Sequence, residues 1–368
     1  LNTSYTTKNS FAEGEIMSIL DKLKKTSTIK ESDVLAESKF FDKKDMIPTS
    51  VPALNIALSG RLDGGFVPGL TMFAGPSKHF KTAFSLMMVK AYMEKYSDAV
   101  LLFYDSEFGA PQAYFETFGI DTARVFHTPV TDIEQLKYDL ANQVNVISHS
   151  DHVIIVIDSI GNIASKKEAD DAMEGKGAAD MTRAKQLKSL FRIITPHLTM
   201  KDIPMIVVNH TYMDMGMFPK AIVSGGTGSY YSADNIFIIG RQQEKEGTDL
   251  TGYNFIINVE KSRYVKEKSR IPIEVSFSGG ISPWSGLLDL ALESKHVIKP
   301  KAGWYQKIDP DTGEVLDKNY RAADTDTKEF WLPILKSKSF RQFIEQKYLI
   351  TTGSIMTDEQ LTEIYGED

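Results

Sequence analysis

Gly75, Pro76, Ser77, Lys78, His79, Phe80, Lys81 and Thr82 follow an apolar run at residues 70–74 and open a helical pattern at residues 82–95. A strand, a glycine-led loop and a helix beginning on Lys-Thr make a phosphate cradle. Backbone N–H groups of the loop and the helix N-terminus surround phosphate oxygens, Lys81 neutralises the β/γ charge, and Thr82 reaches Mg²⁺. The pattern departs from its usual form at Phe80, where a glycine is expected before the lysine. Taken alone, these residues also fit a strand-to-helix turn that happens to contain Lys-Thr, so the assignment depends on what stands near them.

Two further strand ends carry acids. An unbroken β-forming run at residues 153–157 ends in Asp158, placed to face a metal's water shell. Another run at residues 100–104 leads into Asp105, Ser106, Glu107, Phe108 and Gly109. Ligands of open α/β sheets bind at the carboxyl ends of strands. Glu107 is the candidate catalytic carboxylate, orienting and deprotonating the water that attacks a γ-phosphate, with Asp105 as its competitor.

The elements that must position these residues are legible as alternating patterns. Strand-like runs at residues 70–74, 100–104, 153–157, 205–208, 235–239 and 255–259 are separated by helical patterns at 82–95, 132–147 and 180–197, with Asp132 as an N-cap. Near-continuous Val, Ile and Leu in the strands predicts a mainly parallel sheet covered by helices on both faces. The expected architecture is an α/β P-loop ATPase core over residues 46–285. A short helical arm, 17–45, precedes it for contact between protomers, and a small C-terminal unit, 286–368, follows. Residues 1–16 are polar and aperiodic and read as a cloning remnant.

Composition limits the alternatives. With no cysteine among 368 residues, disulfides and thiolate metal sites are excluded, and the seven histidines are scattered. No apolar run approaches the roughly 20 residues of a membrane span, and no export signal is recognisable, so a cytoplasmic protein without a membrane partner is expected. The net charge of −7 argues against blanket nucleic-acid binding. Any DNA site must be local. Residues 164–180 and 212–228 have the composition of loops that order on a ligand, although each alone also fits a plain surface loop. Their contents suit a grip on phosphates with apolar wedges between bases: Lys166 and Lys167 in the first, and Met217, Phe218, Lys220, Gly225 and Gly226 in the second. Acidic neighbours dilute the first segment, so the second is the stronger candidate. The densest basic run, Lys261, Arg263, Lys266, Lys268 and Arg270, reads by itself as a solvated turn.

The ordered blocks IALSG, PGLTMFAGPSKHFKT, FYDSEFGAPQAYFETFGID, IIVIDSIGNIASKKE, IVVNH, SGGTGSYYSAD and KAGWYQ resemble the RecA family of DNA strand-exchange ATPases, most of all its T-even phage members. Those members share the aromatic residue at the Phe80 position. The resemblance implies a RecA-like fold with ATP and Mg²⁺ as cofactors and Lys81 and Glu107 as catalytic residues. It further implies Tyr114 stacking on adenine and His210 as a γ-phosphate sensor in place of a glutamine. Lys261 and Arg263 would reach across a subunit interface to a neighbour's ATP, and the two polar segments would be DNA-binding loops. The implied partners are single-stranded DNA, duplex DNA, further copies in a head-to-tail helical filament, a single-strand binding protein and a loading mediator. A hexameric RecA-fold helicase, expected to carry a larger N-terminal domain, and an ATP-binding mediator are the alternatives; the phage likeness places the chain in a host cytoplasm.

Overall fold

The computed structural model describes residues 19–29, 32–38, 45–175, 181–217, 219–310 and 312–350. It divides into a unit ending at Asp45 and a unit beginning at Met46. In the first, residues 19–26 are helical and residues 35–37 form a turn. Lys24 joins them, with Nζ 2.6 Å from Asp33 and 2.7 Å from Glu37.

In the second unit nine strands form one sheet, in the order β11-β10-β9-β8-β1-β5-β4-β2-β3. These are β1 (Gly69–Ala74), β2 (Val100–Asp105), β3 (Val125–Pro129), β4 (Val153–Asp158), β5 (Pro204–Asn209), β8 (Asn235–Glu246), β9 (Asp249–Lys261), β10 (Arg270–Ser276) and β11 (Gly280–Ile281). From β8 to β3 all neighbours are parallel. The strands β9, β10 and β11 extend the sheet antiparallel. A separate hairpin pairs β6 (Thr211–Met213) with β7 (Ala221–Val223).

Every residue of β1, β4 and β5 is buried, which is why these runs are apolar without alternation. Side chains still alternate between two cores. Phe73, Phe103, Val156, Ile206 and Phe237 face one, with the helices Pro52–Ser59 and Lys81–Lys95. Leu70, Met72, Ile155, Ile157 and Val207 face the other, with the helices Ile133–Val146 and Thr182–Met200. Asp132 caps the third of these helices by accepting from Gln135 N, at the expected position. In the fourth, Leu187, Leu190, Phe191, Ile194 and Leu198 bury one stripe at helical spacing.

The chain after residue 286, expected to stand apart, shares the first core. Trp331, Phe340 and Ile344, on the helices Lys328–Lys336 and Lys338–Tyr348, cluster with Leu54, Ile56, Ile271 and Leu287. Among the described residues it also holds a three-stranded sheet of β12 (Val297–Lys301), β13 (Trp304–Ile308) and β14 (Val315–Arg321). No helix among the described residues is long and apolar enough to cross a membrane.

Candidate functional site

The phosphate loop starts where β1 ends, and Gly75 is needed there: a Cβ would meet Ile239 O of β8 at 2.9 Å. Lys78 and Phe80 both adopt left-handed φ angles, 60° and 61°. Such a conformation costs a non-glycine residue about 1–2 kcal/mol. At Phe80 packing offsets it, because the ring stacks on Phe255 with centroids 4.9 Å apart and meets the edge of Phe84 at 5.5 Å. Phe80 is also the N-cap of the helix Lys81–Lys95 and offers no side-chain cap, which leaves the first-turn N–H groups to an anion. His79 turns its Nδ1 to Ser77 O at 2.9 Å.

Buried Lys81 donates from Nζ to Pro76 O at 2.8 Å. Burial pulls its pKa down, while Glu107 and Asp158 work against that. Thr82 Oγ1 donates to Asp158 Oδ2 at 2.6 Å. Asp158 is 4% exposed, and burial pushes its pKa up to about 6. Its Oδ1 is buried without a hydrogen-bond partner. An orphaned acceptor beside a threonine hydroxyl is what the water shell of a divalent cation would satisfy. Among the described residues no group of three or more His, Asp or Glu could hold a metal, so an ion here would also need phosphate oxygens.

Asp105 and Glu107, rivals by sequence, have different surroundings. Asp105 is 3% exposed, with Oδ1 accepting from the N–H groups of Glu107 (3.0 Å) and Phe108 (2.7 Å) and Oδ2 facing His127 Nε2 at 3.2 Å. It is occupied in shaping the turn that carries Glu107. Glu107 Oε1 accepts from Ser159 Oγ at 2.7 Å, His210 Nε2 at 2.8 Å and Asn162 Nδ2 at 3.2 Å. All three donors converge on one oxygen. The His210 bond, helped by Ser159 and Lys81, holds the Glu107 pKa below the usual carboxylate range against the effect of burial. Because that carboxylate only accepts, His210 must carry its proton on Nε2.

His210 is seated from both sides. A Cβ at Gly161 would lie 2.2 Å from its Cδ2, so only glycine leaves room. Its N–H donates to Asn209 Oδ1 at 2.8 Å, Asn209 Nδ2 donates to Ser224 O at 2.8 Å, and Ser224 N–H donates back to His210 O at 2.9 Å. The β6–β7 hairpin springs directly from this knot.

That hairpin is the second polar segment. Lys220 N–H bonds Asp214 Oδ1 at 2.7 Å, Met217 is exposed, and Gly225 and Gly226 take positive φ angles of 93° and 76° before the helix Thr227–Ser232. Phe218 lies outside the described residues. The first segment differs from the loop expected: Lys166–Met173 is a helix, started by a capping box between Ser165 and Glu168. Both Lys166 and Lys167 are exposed on it, Lys167 paired with Asp171.

Lys261 and Arg263 lie apart from the phosphate loop of their own protomer. Lys261 Nζ donates to Tyr230 O (2.9 Å), Tyr231 O (3.2 Å) and Ala233 O (2.7 Å), closing the helix Thr227–Ser232. Arg263 Nε is 2.6 Å from Asp234 Oδ1.

Residues 15–282 match the RecA N-terminal domain model. Residues 284–344 match the model of the C-terminal domain of the bacteriophage T4 recombination and repair protein. This chain belongs to the RecA family of recombinases. The recombination and repair protein of Enterobacteria phage T4 is 52% identical over 342 residues, 92% of this chain and 87% of that relative. RecA of Bacteroides thetaiotaomicron is 25% identical over 280 residues, 75% of the chain and 82% of the relative. RecA of Arthrospira platensis is 25% identical over 316 residues, 85% and 83% respectively.

A cavity of about 590 Å³ in this RecA-family core is lined by Lys81, Thr82, Glu107, Asp158 and Tyr114. Tyr114 is half-buried on the helix Gln112–Thr117, its ring set edge-on to Phe118 at 5.3 Å. Arg241, Tyr253 and Phe277 also line the cavity, and sequence reasoning missed them. They sit on and beyond the long β8–β9–β10 meander, whose polar outer halves lack the apolar run that marked the buried strands.

Proposed function

We propose that this chain is an ATP-driven DNA strand-exchange protein. It polymerises head-to-tail as a helical filament on single-stranded DNA, admits duplex DNA and exchanges strands by homology. The observation that carries this reading is the three-donor grip on Glu107 Oε1, which joins the nucleotide site to the hairpin proposed to hold DNA. With Oε1 fixed, Oε2 is the oxygen left to accept a proton from water. That water attacks the γ-phosphorus, the bond to the β-bridging oxygen breaks, and ADP leaves. Lys81 and the helix N-terminus stabilise the charge that develops. Mg²⁺, held by Thr82 and through water by Asp158, would neutralise the phosphate oxygens.

His210 supplies the coupling. A shift of the γ-phosphate moves Glu107, hence His210, hence the backbone at Ser224 and the hairpin beyond it. Lys261, bonded to the end of the helix Thr227–Ser232, and Arg263, paired with Asp234, are the proposed trans cations for a neighbour's nucleotide. Met217, Phe218 and Lys220 are the proposed DNA contacts of the second loop, and Lys166 and Lys167 the weaker ones of the first. A single-strand binding protein and a loading mediator would be the accessory partners, in the cytoplasm of the host.

ATP turnover measured with and without single-stranded DNA, with electron microscopy of the same samples, tests the reading. DNA-stimulated turnover on helical filaments is expected. Rings that unwind duplexes would replace it with a helicase, and ATP binding without turnover with a mediator.

A further inference from the structure

A cation on the rim of the phosphate loop has no part in the scheme above. β8 runs parallel beside β1, with Ile238 opposite Ala74, so the chain beyond Ile239 passes alongside the loop. Arg241 stands there, two residues further along β8, on the side of β1 away from β5, β4 and β2. Antiparallel pairing sets Arg241 opposite Phe255 and Gln243 opposite Tyr253, which makes Arg241 and Tyr253 diagonal neighbours on one face. The guanidinium carbon lies 4.6 Å from the Tyr253 ring centroid, and Nη1 donates to Lys78 O at 3.2 Å. Among the described residues those are its side-chain partners, and no carboxylate neutralises it. It lines the same cavity as Lys81, Thr82, Glu107 and Asp158.

An exposed arginine without a function usually swings free or pairs with an acid. This one lies over an aromatic ring, with one donor on the loop backbone and the rest of its five N–H groups uncommitted among the described residues. Such a fork is pre-organised for phosphate, and stacking lowers the ordering entropy that a lysine would lose.

We infer that Arg241 is a nucleotide-binding residue of its own protomer, donating to phosphoryl oxygens of a nucleoside triphosphate from the rim opposite Glu107 and Asp158. The inference rests on the nucleotide site proposed above and adds a second cation to Lys81. Tyr253 is then a positioning residue, holding the plane of the guanidinium. The arrangement also explains why Phe80, Phe255 and Tyr253 continue as one aromatic rank: the packing that supports the loop supports the arginine beside it.

The test is calorimetric titration of ATP and Mg²⁺ into the wild type, Arg241→Gln and Arg241→Lys, with adenosine binding followed by saturation-transfer NMR. Arg241→Gln should weaken ATP about tenfold or more, Arg241→Lys should fall between it and the wild type, and adenosine should be unchanged. Tyr253→Leu should weaken ATP less than Arg241→Gln does. Wild-type affinity in Arg241→Gln would overturn the inference while leaving the nucleotide site intact. An equal loss for ATP and adenosine would also overturn it, since Arg241 would then be shaping the cavity wall. A wild type that binds no ATP would remove the nucleotide site itself, and the inference with it.

Discussion

Asp158→Asn should make the nucleotide-free protein more stable at neutral pH while removing its response to Mg²⁺. Burial raises the Asp158 pKa from 3.8 to about 6, a shift of roughly two units, and each unit corresponds to about 1.4 kcal/mol. The sign follows from the direction. Below pH 3.8 the carboxyl is protonated in folded and unfolded chains alike and imposes no penalty. As pH rises from 3.8 through about 6 the unfolded chain ionises first, and folded stability falls by about 3 kcal/mol in all. Asparagine never ionises, and its amide oxygen can still accept from Thr82 Oγ1. Part of the gain is offset because Asp158 helps to compensate buried Lys81. The expected advantage over the wild type at pH 7.5 is therefore about 1–3 kcal/mol, shrinking by about 2 kcal/mol at pH 4.5. Urea unfolding without nucleotide at the two pH values measures it, and a second series with ATP and Mg²⁺ reads the lost metal response. An advantage of the same size at both pH values, or a variant less stable than the wild type at pH 7.5, would refute the argument that burial dominates this carboxylate.

The phosphate loop and its surroundings give three more expectations. Phe80→Gly relieves a left-handed residue but loses the contacts to Phe255 and Phe84, so urea unfolding should show a net loss of about 1–2 kcal/mol, with ATP binding retained. Lys81→Ala should abolish tight ATP binding, whereas Glu107→Gln should bind ATP and stop turnover; calorimetry alongside a phosphate-release assay separates the two, and equal loss of binding would contradict that division. Arg183 donates to the carbonyls of Ile160 (2.8 Å), Gly161 (3.0 Å) and Ile163 (2.9 Å). Arg183→Met leaves those acceptors without that donor and should cost about 2–3 kcal/mol in urea unfolding.

The parts of this molecule that the sequence disclosed are those where burial dictates composition. Strands β1, β2, β4 and β5 are inside a two-faced sheet, so they are mostly apolar along their length, and the acids that end β2 and β4 stood out against them. Strand β3 escaped because it is an edge, with Phe126 and His127 exposed and no apolar run to read. The helix Lys166–Met173 escaped for a related reason: it buries no residue, and its start depends on a local capping box rather than an apolar stripe. The sequence changes character beyond Gly280 and matches a C-terminal domain model over residues 284–344, and Trp331, Phe340 and Ile344 there pack into the same core as Leu54 and Ile56.

The choice between Asp105 and Glu107 shows the same limit at the site. Both acids stand at the end of one strand, and the sequence favoured Glu107 with Asp105 as its competitor. What separates them is which donors reach which oxygen: two backbone N–H groups and a histidine absorb Asp105, whereas Glu107 is held by a single oxygen. Those donors come from the end of β4, the turn after it and the end of β5, segments that only the sheet order brings together. A carboxylate gripped by one oxygen can turn its other toward water without losing its place, and a carboxylate gripped by both cannot. Strand order, more than residue type, therefore favours Glu107 over Asp105 as the proposed base, and it sets His210 between that carboxylate and the hairpin.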